Sequence, residues 1–275
     1  MKKRKKYNIV SLCKPIVDKS VEIGKNVTIY AGAVLLGKTK IGDNCVVFSN
    51  TVIKDSTIGN NCVVNAGNQI FCSQIAKDCT LLPNNFVQDC VVEKDVKISF
   101  SHCKGADIKC GASIGPFARL RENSVVGKNA LVGDFVEIKN ASLGEGTKAS
   151  HLAYVGDAQI GRDCNIGCGA IFVNYNGKIK QRSVVEGNCF LGSNCNVIAP
   201  VHIAKNTYIC AGTTITKDVD ENEFVIGRAT QQAKPNKAKN YLSKMLWNNN
   251  WLKTKMFLIR FLCWNGKLVM FGILT

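Results

Sequence analysis

Aliphatic residues recur at every sixth position along most of the chain, as at Ile23, Ile29, Leu35 and Ile41. A helix repeats every 3.6 residues and a half-buried strand every 2, so neither produces this spacing. In a β-helix, each hexapeptide forms one flat side, and three of them close a triangular coil of roughly 18 residues. The pattern therefore predicts an all-β solenoid of parallel strands with on the order of ten coils.

The extent of the repeat divides the chain into four predicted segments. Residues 1–20 are a basic lead-in, residues 21–227 are the β-helix, residues 228–240 are a polar linker, and residues 241–275 are an apolar tail. Since each coil of a solenoid packs only on its neighbours, one elongated domain accommodates this length. The spacing becomes irregular between Val92 and Lys104, so no clear strand positions are predicted there.

The tail differs in pattern from the solenoid. Tyr241, Leu242 and Met245 recur at near-helical spacing, which predicts an amphipathic helix. The apolar stretch that follows contains Arg260 and Lys267, which are costly at a bilayer centre, so it is a poor transmembrane span. We expect the tail to lie on a membrane surface or on a neighbouring subunit, with packing on its own trimer as the third possibility.

The fourteen cysteines fit the core of the solenoid. No pair has CxxC spacing, which argues against a structural metal site or a redox motif, and small residues occupy the same repeat position elsewhere. Seven cysteines lie two residues before an aliphatic position: Cys45, Cys62, Cys79, Cys90, Cys164, Cys189 and Cys195. With no secretion signal visible, free thiols indicate a reducing compartment, and we expect a cytoplasmic protein.

The net charge of +16 raises the question of a nucleic-acid partner. Most lysines are dispersed along the repeats, however, and no nucleic-acid-binding motif is present, so no nucleic-acid partner is expected.

Candidate chemistry is concentrated in residues 115–182. His151 is followed by Tyr154, and the polar loop NYNGKIKQR at 174–182 interrupts the repeat. A histidine surrounded by cations suggests base catalysis on an anionic substrate, whereas a buried histidine among solvated lysines is the alternative. The surrounding cations are Arg119, Arg121, Lys139, Lys148, Lys178 and Lys180.

Several motifs in this part of the chain resemble one family. The pieces IGPFARLR, VGDFVEIKNASLGEGTKASHLAYVGDAQIG, NIGCGAIFVNYNG, FLGSN, VIAPV and AGTTIT occur in one order without gaps. They resemble the C-terminal hexapeptide-repeat acetyltransferase domain of bacterial bifunctional GlmU enzymes (glucosamine-1-phosphate N-acetyltransferase / N-acetylglucosamine-1-phosphate uridyltransferase). The resemblance implies a left-handed parallel β-helix, a homotrimer, and acetyl-CoA as the cosubstrate.

The resemblance also implies an activity. The expected reaction acetylates glucosamine-1-phosphate to N-acetylglucosamine-1-phosphate, in the synthesis of UDP-N-acetylglucosamine for peptidoglycan and lipopolysaccharide. The family's glycine-rich nucleotidyltransferase loop has no counterpart in this sequence, so uridylyltransferase activity is expected to be absent. A separate uridylyltransferase is then one candidate partner.

The family's functional residues match individual positions of this sequence. His151 resembles the general base, and Glu137 and Asn174 resemble the groups that hold its ring. The residues that resemble substrate-binding positions are Arg121, Lys139, Tyr154, Asn165, Tyr175 and Lys180. The residues that resemble acetyl-CoA contacts are Cys168, Ser193, Ala211 and Arg228, and the family usually has alanine where this chain has Cys168.

Three other functions remain open at this stage. The acceptor could be another amino sugar or a nucleotide sugar, and the chain could also be a non-catalytic trimeric scaffold. A zinc hydratase on the same fold needs three histidine ligands at a subunit interface. His102, His151 and His202 are the only histidines and lack ligand-like spacing, so no metal site is expected.

Overall fold

The computed structural model describes residues 7–10, 14–242, 262–264 and 267–269. The chain divides into two compact units, Met1–Arg228 and Ala229–Thr275.

The first unit consists of short strands that form three parallel sheets. The first twelve strands are β1 (Tyr7–Val10), β2 (Ile16–Val17), β3 (Glu22–Ile23), β4 (Val27–Tyr30), β5 (Val34–Leu36), β6 (Lys40–Ile41), β7 (Val46–Val47), β8 (Val52–Lys54), β9 (Thr57–Ile58), β10 (Val63–Val64), β11 (Gln69–Phe71) and β12 (Gln74–Ile75). The next twelve are β13 (Thr80–Leu81), β14 (Phe86–Gln88), β15 (Val91–Val92), β16 (Lys97–Ile98), β17 (His102–Lys104), β18 (Ala106–Ile108), β19 (Ser113–Ile114), β20 (Arg119–Leu120), β21 (Ser124–Val126), β22 (Leu131–Asp134), β23 (Glu137–Lys139) and β24 (Ser142–Leu143). The last twelve are β25 (Lys148–His151), β26 (Tyr154–Gly156), β27 (Ala158–Ile160), β28 (Asn165–Ile166), β29 (Ile171–Val173), β30 (Ser183–Val185), β31 (Phe190–Leu191), β32 (Asn196–Ile198), β33 (His202–Ile203), β34 (Tyr208–Ile209), β35 (Thr214–Ile215) and β36 (Phe224–Val225).

Up to β35, every third strand belongs to the same sheet, and β36 joins the sheet of β34, so the sheets are the three sides of a β-helix. Face 1 runs from β1 through β4 and β7 to β36 with thirteen strands, face 2 from β2 to β35 with twelve, and face 3 from β3 to β33 with eleven. Strand pairing within each face is parallel and in register, as in Ile23 beside Ile41 and Ile41 beside Ile58. The predicted all-β parallel β-helix is confirmed.

The six-residue repeat corresponds to the inner side of each face. Leu120, Ile138, Val155 and Phe172 are stacked on successive strands of face 2, and each is at most 1% exposed. Alternation along each strand directs their neighbours outward. The repeat is therefore the packing pattern of one continuous core.

The solenoid differs from the predicted boundaries in two places. Strands β1 and β2 pair with β4 and β5, so coils begin before residue 21 and within the predicted lead-in. Coils also continue between Val92 and Lys104, where the sequence pattern is unclear. Ile98 and Cys103 are fully buried there, and Cys103 replaces the aliphatic residue that the pattern requires.

The cysteines predicted to fill the core are buried, as are Cys103 and Cys210. Burial raises the pKa of the Cys90 thiol to about 11, and burial also raises the pKa of Cys103 well above its usual value. These thiols therefore pack as small apolar groups, and no disulfide joins the described cysteines.

The second unit contains a short helical turn over residues 239–242. It also contains two antiparallel strands, β37 (Leu262–Trp264) and β38 (Lys267–Val269), with Leu262 opposite Val269. The predicted helix of the tail thus differs from the structure over these six residues. In the sequence, an Asn-Gly pair separates the two strands, which is the strongest short-range signal for a hairpin. The rest of the tail lies outside the described residues, and no described helix is long and apolar enough to cross a membrane.

Candidate functional site

The outer side of face 2 has two columns of side chains near residues 119–156. Arg119, Glu137 and Tyr154 are in register in one column. Arg121 and Lys139 belong to the second, in which Gly156 is the partner of Lys139 on the next strand. Four predicted site residues, together with Arg119, therefore lie on one surface, because successive coils here are 17 or 18 residues long.

Glu137 is held between two arginines. Arg121 Nη1 donates a hydrogen bond to Glu137 Oε1 at 3.0 Å, and Arg119 Nη1 lies 3.7 Å from Glu137 Oε2. Among the described residues, no hydrogen bond connects Glu137 or Asn174 to His151. The ring-holding roles predicted for Glu137 and Asn174 therefore stay predictions.

Gly156 gives space to the Tyr154 ring. A Cβ atom at Gly156 would lie 2.6 Å from the Tyr154 hydroxyl oxygen and 2.7 Å from two ring carbons. The ring therefore lies across the glycine, between the two columns. A side chain at residue 156 would have to displace it.

Corner 2–3, where face 2 turns into face 3, contains a buried carboxylate that the sequence analysis did not identify. Asp157 is 8% exposed. Its Oδ1 accepts a hydrogen bond from Asn140 Nδ2 at 2.5 Å, and its Oδ2 accepts one from Asn174 Nδ2. Burial raises the pKa of Asp157, but these two hydrogen bonds and the nearby charges of Lys139 and Lys180 leave it below its usual value.

The polar loop at 174–182 leaves the solenoid at this same corner, between β29 and β30. Its own bonds give it a defined shape: Gln181 N donates to Asn174 O at 2.8 Å, and the Tyr175 hydroxyl donates to Gly177 O at 2.7 Å. Asn176 Oδ1 accepts from the backbone N–H groups of residues 178 and 179 at 3.0 and 2.9 Å. The loop is therefore folded, and it contains Lys180.

Two ammonium groups meet where the loop lies beside face 2. Lys180 lowers the pKa of Lys139 because their like charges are close together, and desolvation and Arg121 lower it further. Of the two nearby carboxylates, Glu137 is paired with Arg119 and Arg121, and Asp157 accepts two amide hydrogen bonds. Positive charge thus exceeds negative charge here, which favours a bound anion such as a phosphate.

The other edge of face 2, corner 1–2, contains the predicted base and the predicted acetyl-CoA contacts. His151 ends β25, and the register of β25, β28, β31 and β34 stacks Cys168, Ser193 and Ala211 above it in successive coils. All four residues are exposed. We call His151, Cys168, Ser193 and Ala211 the corner column. At about 4.8 Å per coil it is about 14 Å long.

Close packing of the backbone supports the corner column. A Cβ atom at Gly192 would lie 2.4 Å from Ala211 N, so only glycine fits next to Ser193. At the end of the column, Arg228 Nη1 donates to Ala211 O at 2.9 Å. The structure therefore places all four predicted acetyl-CoA contacts in one line with His151.

The remaining predicted residues have different positions. Asn165 lies on face 1, three residues before Cys168 and in register with Lys148. His151 and Asn174 lie at opposite corners of face 2. The described residues contain no cluster of three or more residues suited to hold a metal ion.

An exposed apolar ridge, which the sequence analysis missed, continues corner 1–2 below His151. It consists of Phe100, Phe117, Phe135 and Leu152, which are 40–63% exposed. Ring centroids are 5.9 Å apart for the first pair and 5.5 Å apart for the second. All four have φ between 37° and 57°, a conformation that bulky residues rarely adopt. The ridge could be detected in the sequence, because it has large apolar residues at the corner position where other coils have glycine or asparagine.

Two family models match the chain. The model described as GMPPB C-terminal domain matches residues 106–225, which include the corner column and the polar loop. The model described as bacterial transferase hexapeptide (six repeats) matches residues 20–55.

Relatives of known name cover the solenoid. The bifunctional protein GlmU of Clostridium beijerinckii is 40% identical over 212 residues, which is 77% of this chain and 39% of that protein. The bifunctional protein GlmU of Clostridium kluyveri is 38% identical over 215 residues, 78% of this chain and 40% of that protein. The chain thus spans about two fifths of the length of these relatives.

Solved structures are similar to this chain at lower sequence identity. PerB from Caulobacter crescentus, in complex with CoA and GDP-perosamine, is 23% identical, with a TM-score of 0.33 over 37% of this chain and 47% of that one. The Francisella novicida UDP-N-acetylglucosamine acyltransferase is 19% identical, with a TM-score of 0.30 over 77% of this chain and 63% of that one.

Proposed function

The chain is a hexapeptide-repeat homologue of part of the bifunctional GlmU proteins, and from this premise we propose that it transfers acetyl from acetyl-CoA to the amino group of glucosamine-1-phosphate. The observation that supports this most is the placement of His151 in line with the corner column at one edge of face 2. A cation cluster suited to a phosphate lies at the other edge.

His151 acts as the general base. The amine nitrogen attacks the thioester carbonyl, the C–S bond breaks, and coenzyme A leaves as a thiol. An amine of this kind titrates near roughly 8. The imidazole ring of His151 accepts the proton that the nitrogen loses. Tyr154 binds the sugar, and Glu137, which is in register with Tyr154 on face 2, holds the imidazole ring together with Asn174.

Acetyl-CoA lies along the corner column. Cys168, Ser193 and Ala211 line its pantetheine arm, and Arg228 pairs with its phosphates. Because the column acts through backbone and small side chains, Cys168 serves as well as alanine. Arg121, Lys139 and Lys180 bind the sugar phosphate.

A homotrimer accounts for the two predicted catalytic residues that lie far apart. Asp157, which bonds Asn174 at corner 2–3, is six residue steps along the chain from His151, and at 3.3 Å per residue this is about 20 Å. A single sugar phosphate is shorter than that span. His151 of one copy meets Asn174 and the cation cluster of another copy in a cleft between the copies, so the complete site needs the oligomer.

The experiment supplies the full chain with acetyl-CoA and a panel of amino sugars. We expect acetylated product from glucosamine-1-phosphate and little from free glucosamine, which lacks the phosphate. His151→Ala should lower kcat about 10²–10⁴-fold with little change in the KM for acetyl-CoA. His202→Ala is the control, since this exposed histidine lies on face 3 against Glu186.

The outcomes separate the parts of the proposal. Absence of acetyl transfer to every amino sugar refutes the function. Transfer that survives in His151→Ala refutes the assignment of the base alone, and equal use of free and phosphorylated sugar refutes the phosphate site.

A further inference from the structure

We infer that Asp157 is a positioning residue that fixes the side-chain amide of Asn174 and anchors the polar loop for the acetyl-transfer reaction. This inference rests on the proposed function for its kinetic consequence, while the anchoring is a property of the structure. The sequence motif that contains Asp157 predicts no role for it, and its role follows from its contacts.

Asp157 makes contacts at both ends of the loop. Its carboxylate accepts from Asn174, the first residue of the loop, and its carbonyl oxygen accepts from Ser183 N at 3.2 Å, directly after the loop. Its own N–H donates to Lys139 O at 3.0 Å in the coil below. One residue therefore connects the loop to the strand that holds a predicted phosphate ligand.

The contact also determines how Asn174 is oriented. An ionised carboxylate only accepts hydrogen bonds, so Asn174 must turn its NH₂ group toward Asp157. Its Oδ1 is then on the side away from Asp157 and is available to a donor in the reaction. A neutral group at residue 157 could also donate, which would permit the amide to rotate by half a turn.

The burial of Asp157 separates it from other aspartates in the same position. Asp55 and Asp89 occupy corner 2–3 in other coils with φ of 49° and 52°, close to the 47° of Asp157. Both are exposed and have no loop above them, whereas Asp157 is 8% exposed. Asn140, one coil below, has φ of 46°, so asparagine is compatible with this backbone conformation.

Asp157→Asn is therefore a variant that should fold, and Asp89→Asn is its matched control. We expect kcat to fall about tenfold in Asp157→Asn, the usual effect of losing a charge-assisted hydrogen bond, with the KM for acetyl-CoA unchanged. Asp89→Asn should leave both constants as they are. Adding Asp157→Asn to Asn174→Ala should cause no further loss, because Asp157 acts through Asn174.

Hydrogen exchange gives a readout that does not depend on activity. In Asp157→Asn, backbone amides of residues 175–182 should exchange about tenfold faster than in the native chain, while amides of the neighbouring coils keep their rates. Asp89→Asn should not change exchange in the loop.

Each result decides one question. Unchanged exchange in the loop refutes the anchoring, even if acetyl transfer is intact. Additive losses in the double variant refute the action through Asn174. Faster exchange in a protein without acetyl transfer supports the anchoring and refutes the proposed function instead.

Discussion

Replacement of Gly156 by alanine should separate the stability of the solenoid from the chemistry of face 2. The new Cβ would lie 2.6–2.7 Å from three atoms of Tyr154, and no backbone atom is among its nearest neighbours. Ordinary contact needs about 3.5 Å, so the ring must move by about 1 Å. Gly156 has no left-handed φ, so alanine adds no backbone strain there.

The expected magnitudes differ for the two properties. Alanine restricts the unfolded chain, which stabilises by about 0.4–1 kcal/mol, so thermal unfolding should stay the same or occur slightly higher. A displacement of about 1 Å at a substrate-binding ring costs up to about 10²-fold in rate. We therefore expect kcat/KM for glucosamine-1-phosphate to fall 10- to 100-fold, with the KM for acetyl-CoA unchanged.

Gly133→Ala is the matched comparison. A Cβ there would lie 2.0 Å from Ser150 O, a backbone atom that cannot move without shifting the next coil. Overpacking of this kind costs about 1–3 kcal/mol, so this variant should unfold at a lower temperature. Product should be followed by mass spectrometry, because the exposed thiols of Cys72 and Cys168 would react with colorimetric thiol reagents.

Two results would refute this reasoning. If Gly156→Ala retains full activity, Tyr154 does not bind the acceptor. If it is destabilised as much as Gly133→Ala, the Tyr154 ring is held rigidly by contacts beyond the glycine.

Two further predictions concern the core and the apolar ridge. Phe172→Ala should lower the free energy of unfolding by about 3–5 kcal/mol in chemical denaturation, because this 1%-exposed ring has no other group to fill its space, whereas Phe172→Leu should cost much less. Leu152→Asn should raise the free energy of unfolding by about 1 kcal/mol, since asparagine tolerates φ of 37° and Leu152 makes no ring stack. Unfolding should be measured at low and at high protein concentration. If Leu152→Asn is less stable than the native chain only at high concentration, the ridge is covered by another copy and is not exposed in solution.

The periodic part of the fold could be predicted from the sequence because one physical constraint repeats in every coil. An inward aliphatic residue every six positions specifies three faces, and the small residue two positions earlier specifies a corner of the core. Cys103 shows the limit, since a buried thiol in place of an aliphatic side chain conceals the repeat.

Residues outside the repeat were harder to predict. The insertion at 174–182 is visible as a long step between Phe172 and Val185, but its hydrogen bonds to Asp157 depend on a fold that brings together residues 17 apart. Asp157 has the same residue type and backbone conformation as Asp89, so only its burial and its contacts reveal the difference. Between β37 and β38 the sequence contains an Asn-Gly hairpin signal, whereas the near-helical spacing that predicts a helix lies upstream, at Tyr241, Leu242 and Met245.

Backbone strain adds an independent reason to place function at corner 1–2. Of the 24 described non-glycine residues with positive φ, 19 are asparagine or aspartate, which tolerate that conformation, and Cys72 is one exception. The apolar ridge departs from this in four successive coils, and the last of its residues directly follows His151. Strained conformations of this kind cost of order 1–3 kcal/mol each and persist where a function selects them. Asparagine would relieve the strain at these positions without altering the core. The chain instead has large apolar residues there, which form an apolar surface beside the proposed base.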